Sequence, residues 1–75
     1  MAEQITIDHV AFDVGYEALY VDGKLVLAQS SIPLREVFEL ITGKEVTRAR
    51  HWFVTDEEQD VAPTIEAYGN AAILG

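Results

Sequence analysis

The amino-acid sequence predicts an α+β domain: a small antiparallel sheet of three to four strands, built on an Asp-Gly hairpin and covered by one or two helices. Three observations carry that expectation. Two strand-like runs flank Asp22-Gly23, the dipeptide favoured by a two-residue type I′ turn. Leu34, Val37, Phe38 and Ile41 recur at the helical period. Val46, Thr47, Trp52, Phe53 and Val54 concentrate the β-branched and aromatic residues that suit a further strand.

In chain order, the apolar positions Ile5, Ile7, Val10, Phe12 and Val14 alternate like a strand but change phase at Asp8-His9. A β-bulge there would restore one apolar face, and Gly15 would then turn the chain. In the hairpin, a type I′ register sets Val21 opposite Lys24, Tyr20 opposite Leu25, Leu19 opposite Val26, Ala18 opposite Leu27 and Tyr16 opposite Gln29. Tyr16, Ala18, Tyr20, Leu25 and Leu27 then share one face, and Leu19, Val21, Val26 and Ala28 the other. Both faces are mostly apolar, whereas a one-sided sheet should turn a polar face to water. The second face therefore needs a cover, either the C-terminal segment or another molecule.

After Ser30-Ser31, Pro33 fits the first turn of a helix, where its missing N–H would have no partner in any case. The spacing buries Leu34, Val37, Phe38 and Ile41 and leaves Arg35, Glu36, Glu39 and Thr42 to solvent, with Gly43 as the stop. Lys44 to Val54 reads as a strand. Thr55 and Glu58 form a capping box, with Asp56 and Glu57 at the positive end of the helix dipole. Pro63 interrupts that helix, and a second turn or helix, Thr64 to Tyr68, should end at Gly69 or Asn70. The apolar tail, Ala71 to Leu74, needs a docking place.

The 75 residues leave room for one domain, taken as 1–75. At this size folding buries roughly 60% of the unfolded chain's surface, so the core is thin. A hydrophobic fraction of 49% with 24% charged residues is that of a globular chain and not a disordered one. Without cysteines, neither disulfides nor a thiolate metal site can reinforce the core, which leaves self-association, a homodimer or larger, as the expected support. No apolar run has the length of a membrane span, and Met1 to Asp8 lacks the pattern of a signal peptide, so a cytoplasmic location is expected. A net charge of -8 argues against direct binding to nucleic acid or anionic membrane. It suits a solubilising surface or a partner with a basic one.

The stretch Leu19-Tyr20-Val21-Asp22-Gly23-Lys24-Leu25-Val26, followed by Ser-Ser-Ile-Pro-Leu-Arg-Glu-Val, resembles short uncharacterised bacterial and phage accessory proteins that pair such a hairpin with an amphipathic helix. The similarity spans roughly residues 16–54. It implies a prokaryotic or phage accessory protein, a class in which small acidic products often inhibit host enzymes or defence complexes, and it transfers no catalytic residues.

Chemical motifs are sparse. The histidines are His9 and His51, and neither lies beside a nucleophile in a known arrangement. His51, between Arg50 and Trp52, reads as an ordinary strand position. His9 could join Asp8 and Asp13 in a metal cluster only if a bulge turned adjacent side chains to the same side. No catalytic, cofactor-binding or metal-binding residue is therefore assigned, and an enzyme is not expected. Lys44, Arg48 and Arg50 cluster, with Arg48 and Arg50 on one side of their strand. They would pair with acids such as Glu45, or with His51 hold an anion. Asp56, Glu57, Glu58 and Asp60 form the densest acidic run, fit either for a capped helix start or for meeting basic residues that otherwise grip nucleic acid. Average charge density is low for a DNA mimic: about 350 Å² of surface per acid, against about 110 Å² per phosphate of a duplex.

The leading expectation is a non-enzymatic acidic interaction module, an inhibitor of a protein complex or of a nucleic-acid-binding protein. Its candidate contact residues are Asp56, Glu57, Glu58 and Asp60, with the apolar Leu19, Val21 and Val26. The alternative is a homo-oligomer that sequesters a small anionic ligand at Arg48, Arg50 and His51.

Overall fold

The computed structural model describes residues 2–55 and 60–75. Strands β1 (Glu3–Phe12), β2 (Glu17–Val21) and β3 (Lys24–Gln29) are followed by helix α1 (Leu34–Ile41), strand β4 (Lys44–Val54), a 3-10 segment (Ile65–Ala71) and strand β5 (Ala72–Leu74). The α+β class with a small sheet is as expected. The sheet itself is mixed and five-stranded, in the order β3-β2-β1-β4-β5. The hairpin pairs β2 with β1 and β3 antiparallel, but α1 carries the chain over so that β4 runs parallel to β1. Parallel neighbours need such a crossover, and α1 supplies it.

The phase change at Asp8-His9 is not a bulge. β1 keeps an unbroken register with β2 from Ile7 to Ala11. Instead the core changes sides along β1, which is the central strand. Ile5 and Ile7 pack with Leu19 beneath Val37, Leu40 and Ile41 of α1. Val10 and Phe12 pack on the opposite face with Ala18, Tyr20, Val54, Ala62 and Tyr68. A strand covered on one face at one end and on the other face at the other end must change phase midway, because its side chains alternate. The irregularity lies next door, where Thr47 of β4 is the extra residue between the pairs Ile5–Val46 and Thr6–Arg48. Val14, expected on the strand, sits in the following turn and is exposed.

The hairpin turn is as expected, with φ of 54° at Asp22 and 82° at Gly23. Its register holds for Val21–Lys24 and Tyr20–Leu25 and then slips, so that Leu19 faces Leu27, Ala18 faces Ala28 and Glu17 faces Gln29. Val26 is the inserted residue and stays 44% exposed. The bulge exchanges Leu27 and Ala28 between faces: Leu27 joins the cluster under α1, and Ala28 the opposite one.

Helix α1 has the expected span, with Thr42 as C-cap and Gly43 in the left-handed conformation after it. Pro33 lies one position earlier than expected, at the N-cap. The buried stripe is rotated. Val37, Leu40 and Ile41 face the sheet, while Leu34 is 67% and Phe38 55% exposed. The apolar stripe is wider than the surface under this short helix, so only one flank of it finds cover.

The C-terminal segment closes the other face. It hydrogen-bonds to the hairpin through Leu25 N–H to the Pro63 carbonyl and Ile65 N–H to the Gly23 carbonyl, then returns as β5 beside the end of β4. Gly69, with φ 56° and ψ -127°, makes the kink that permits the return. The C-terminal segment and α1 thus each cover part of one face of the hairpin, while Val26 stays exposed. The proposed capping box depends on Glu58, which lies outside the described residues. Among those described, no helix is long and apolar enough to cross a membrane.

Candidate functional site

The functional candidates lie on the helix-covered face and at its rim. α1 packs on β1 at Ile5 and Ile7; beyond them on the same face lie the half-buried His9 and Glu17 and the exposed His51, Phe53 and Ile73. The parallel register sets His9 directly beside His51. His9 Nδ1 and His51 Nδ1 are 2.8 Å apart, and His9 Nε2 is 2.7 Å from Glu17 Oε1. The ring planes differ by 18° and their centroids are 4.9 Å apart. The centroid separation exceeds the nitrogen separation by nearly two ring radii, so the rings meet edge to edge, as an in-plane N–H···N bond requires.

A carboxylate only accepts, which puts a proton on His9 Nε2. In neutral His9 the Nδ1 is then bare, and the bond to His51 must carry a proton from His51 Nδ1. Glu17, His9 and His51 thus form one hydrogen-bonded chain that ends on His51, which is solvent-exposed.

At the rim, Glu36 and Glu39 of α1 join Leu40 and Leu27 of β3 around a groove of about 270 Å³. Two leucines give an apolar floor and two carboxylates a negative edge. Glu36 accepts from Gln29 Nε2 at 3.0 Å. Glu39 stands 3.8 Å from Arg35, with both side chains largely in solvent, an arrangement that contributes little to stability.

The opposite face holds a buried polar cluster. Asp8 is fully buried, and its Oδ1 accepts from Arg50 Nε and Trp52 Nε1, each at 2.8 Å. The Arg50 guanidinium lies 4.8 Å from the Trp52 ring centre. Asp8 Oδ2 is buried without a hydrogen-bond partner, so the adjacent Arg50 charge is the main compensation for burying this carboxylate. Nearby, Tyr20 donates to the Ala62 carbonyl at 2.6 Å, and Ala62 N–H donates to the Tyr68 hydroxyl at 3.0 Å. Tyr20 has spent its only proton, so the bond between the two hydroxyls runs from Tyr68 to Tyr20. Burial first, and the Tyr68 hydroxyl second, push the Tyr20 phenol well above its ordinary range.

The residues named from sequence are dispersed. Arg48 and Arg50 share a side of β4, as expected, but His51 projects to the other face, so the three do not line one cleft. Arg50 is also committed to Asp8. Leu19, at 2% exposed, is core and offers no contact surface, Val21 is half-buried, and Val26 stands out at the bulge. Of the acidic run, Asp56, Glu57 and Glu58 lie outside the described residues, and Asp60 is exposed. The His9–His51 pair was missed because its members are 42 positions apart and meet only through a parallel pairing. An antiparallel sheet gave no reason to align them.

Comparison with known proteins gave no match to a family model, to a curated protein or to a solved structure.

Proposed function

We propose that the chain works by binding another protein through its acidic surface, and that the groove between α1 and β3 receives a basic side chain of that partner. The groove carries the reading. An arginine or lysine lays its apolar stem on leucines and its charged head against carboxylates, and Leu27, Leu40, Glu36 and Glu39 offer both in one place. The net charge of -8 would speed approach to a basic surface, such as one that otherwise holds nucleic acid. An inhibitor of such a protein, the role implied by the resemblance, is the form of this proposal that accounts for the overall charge. The anion-sequestering alternative is weaker, because His51 stands across the sheet from Arg48 and Arg50.

The test is an NMR titration with an arginine- and leucine-rich peptide. Shifts concentrated at Leu27, Glu36, Glu39 and Leu40, reduced by added salt and by the double change Glu36→Gln, Glu39→Gln, would support the proposal. Shifts spread evenly over the surface, or indifferent to that variant, would remove the groove as the site.

A further inference from the structure

We propose that His9 and His51 form a bidentate site for a divalent transition cation that prefers imidazole, such as Zn²⁺ or Cu²⁺, with Glu17 as the carboxylate that orients His9. This stands apart from the groove.

Two nitrogens on neighbouring strands, His9 Nδ1 and His51 Nδ1, converge to 2.8 Å with their rings nearly in one plane. Their lone pairs share a single proton, and a cation can replace it from a position off the N–N line once the rings turn toward it. His9 is already in the tautomer a metal needs, because Glu17 holds the proton on Nε2 and leaves Nδ1 free. Metal-bound histidines commonly donate their second N–H to a carboxylate in this way, which fixes the ring and raises its basicity. His51 needs one adjustment: as the cation binds, its proton leaves Nδ1 and a proton from solvent joins Nε2. The protein's net proton count is unchanged.

The distance fits with a small separation and a turn of the rings. Zinc–nitrogen bonds of 2.0–2.1 Å at a tetrahedral angle place two ligand nitrogens about 3.3 Å apart. The pair must part by about half an ångström, and each lone pair must also swing about 35° off the present N–N line to meet the cation; Glu17 holds His9, so most of that turn falls to the exposed His51. Arg48 and Arg50 project to the opposite face and do not repel a cation here. Among the described residues, no cluster of three or more histidines, cysteines or carboxylates could hold a metal, so the remaining positions go to water or to donors of another molecule. Imidazole ligands and the general affinity order put Cu²⁺ above Zn²⁺ at such a site.

Zinc chloride added to the full chain, followed by calorimetry and by ¹⁵N spectra of the histidine rings, tests this directly. Without metal, His9 should carry its proton on Nε2 and His51 on Nδ1. Zinc should bind one to one, coordinate both Nδ1 atoms and convert His51 to the Nε2–H form. His51→Asn, at an exposed position that keeps the fold, should abolish the site, and Glu17→Gln should weaken binding about 10–100-fold. Ring nitrogens unmoved by millimolar zinc would overturn the proposal and leave a proton-sharing pair only. So would coordination through His51 Nε2 alone, or zinc affinity unchanged by Glu17→Gln.

Discussion

On the face closed by the C-terminal segment, Tyr20 and Tyr68 interlock through Ala62, and Tyr20, Val10, Ala18 and Val54 are wholly buried. On the face closed by α1, no helix residue is fully buried, and Leu34, Phe38, Phe53 and Ile73 are exposed. One cover is locked by hydrogen bonds and ring packing, while the other rests on the flank of a short helix. Stability therefore concentrates on the first face. The groove and the histidine pair, both candidates for binding, lie on the second, where side chains can adjust without breaking the core.

The sharpest way to break this contrast is Tyr68→Ala. It removes the ring packed against Phe12 and Tyr20 and leaves the Ala62 amide without its acceptor. It should cost about 3–5 kcal/mol by chemical denaturation, a large part of what a domain of this size has. A loss under about 1 kcal/mol would mean that the C-terminal segment does not hold the core.

The same lock should give an alkaline signature. Tyr20 holds its proton in the folded chain above the pH at which the unfolded chain releases it, so its contribution is intact below about pH 10 and falls as pH rises from there. The folded state then binds one more proton than the unfolded, and stability drops by about 1.4 kcal/mol per pH unit. Tyr20→Phe should remove that increment. Denaturation curves of both proteins between neutral and strongly alkaline pH, falling in parallel, would refute the buried phenol.

Gly23→Val probes the seam between hairpin and C-terminal segment. The site has φ 82°, and a Cβ there would lie 3.7 Å from Ile65. The strained left-handed backbone should cost more than ~1 kcal/mol, read as a lower melting temperature. An unchanged melting temperature would remove the type I′ turn.

The smallest effect belongs to the helix. Phe38→Ala, which the helical period alone would place among severe core losses, should cost less than about 1 kcal/mol, because the ring is already 55% exposed. A loss near that of Tyr68→Ala would show the two covers to be equivalent and end the comparison.

Asp22-Gly23, the span of α1 and the strand from Lys44 to Val54 were legible in the residues themselves. Each rests on a local cause: positive φ at a two-residue turn, a helical repeat of apolar side chains, and a run of β-branched and aromatic ones. The sequence also carried the phase change at Asp8-His9, but not its meaning. A bulge and a core that switches faces leave the same apolar pattern on one strand, and only the neighbours of β1 distinguish them. The same holds for which flank of α1 is buried, for the slip at Val26 and for the meeting of His9 with His51. These depend on which strands are adjacent, in what direction and register, and those are properties of the assembled sheet that no single segment encodes.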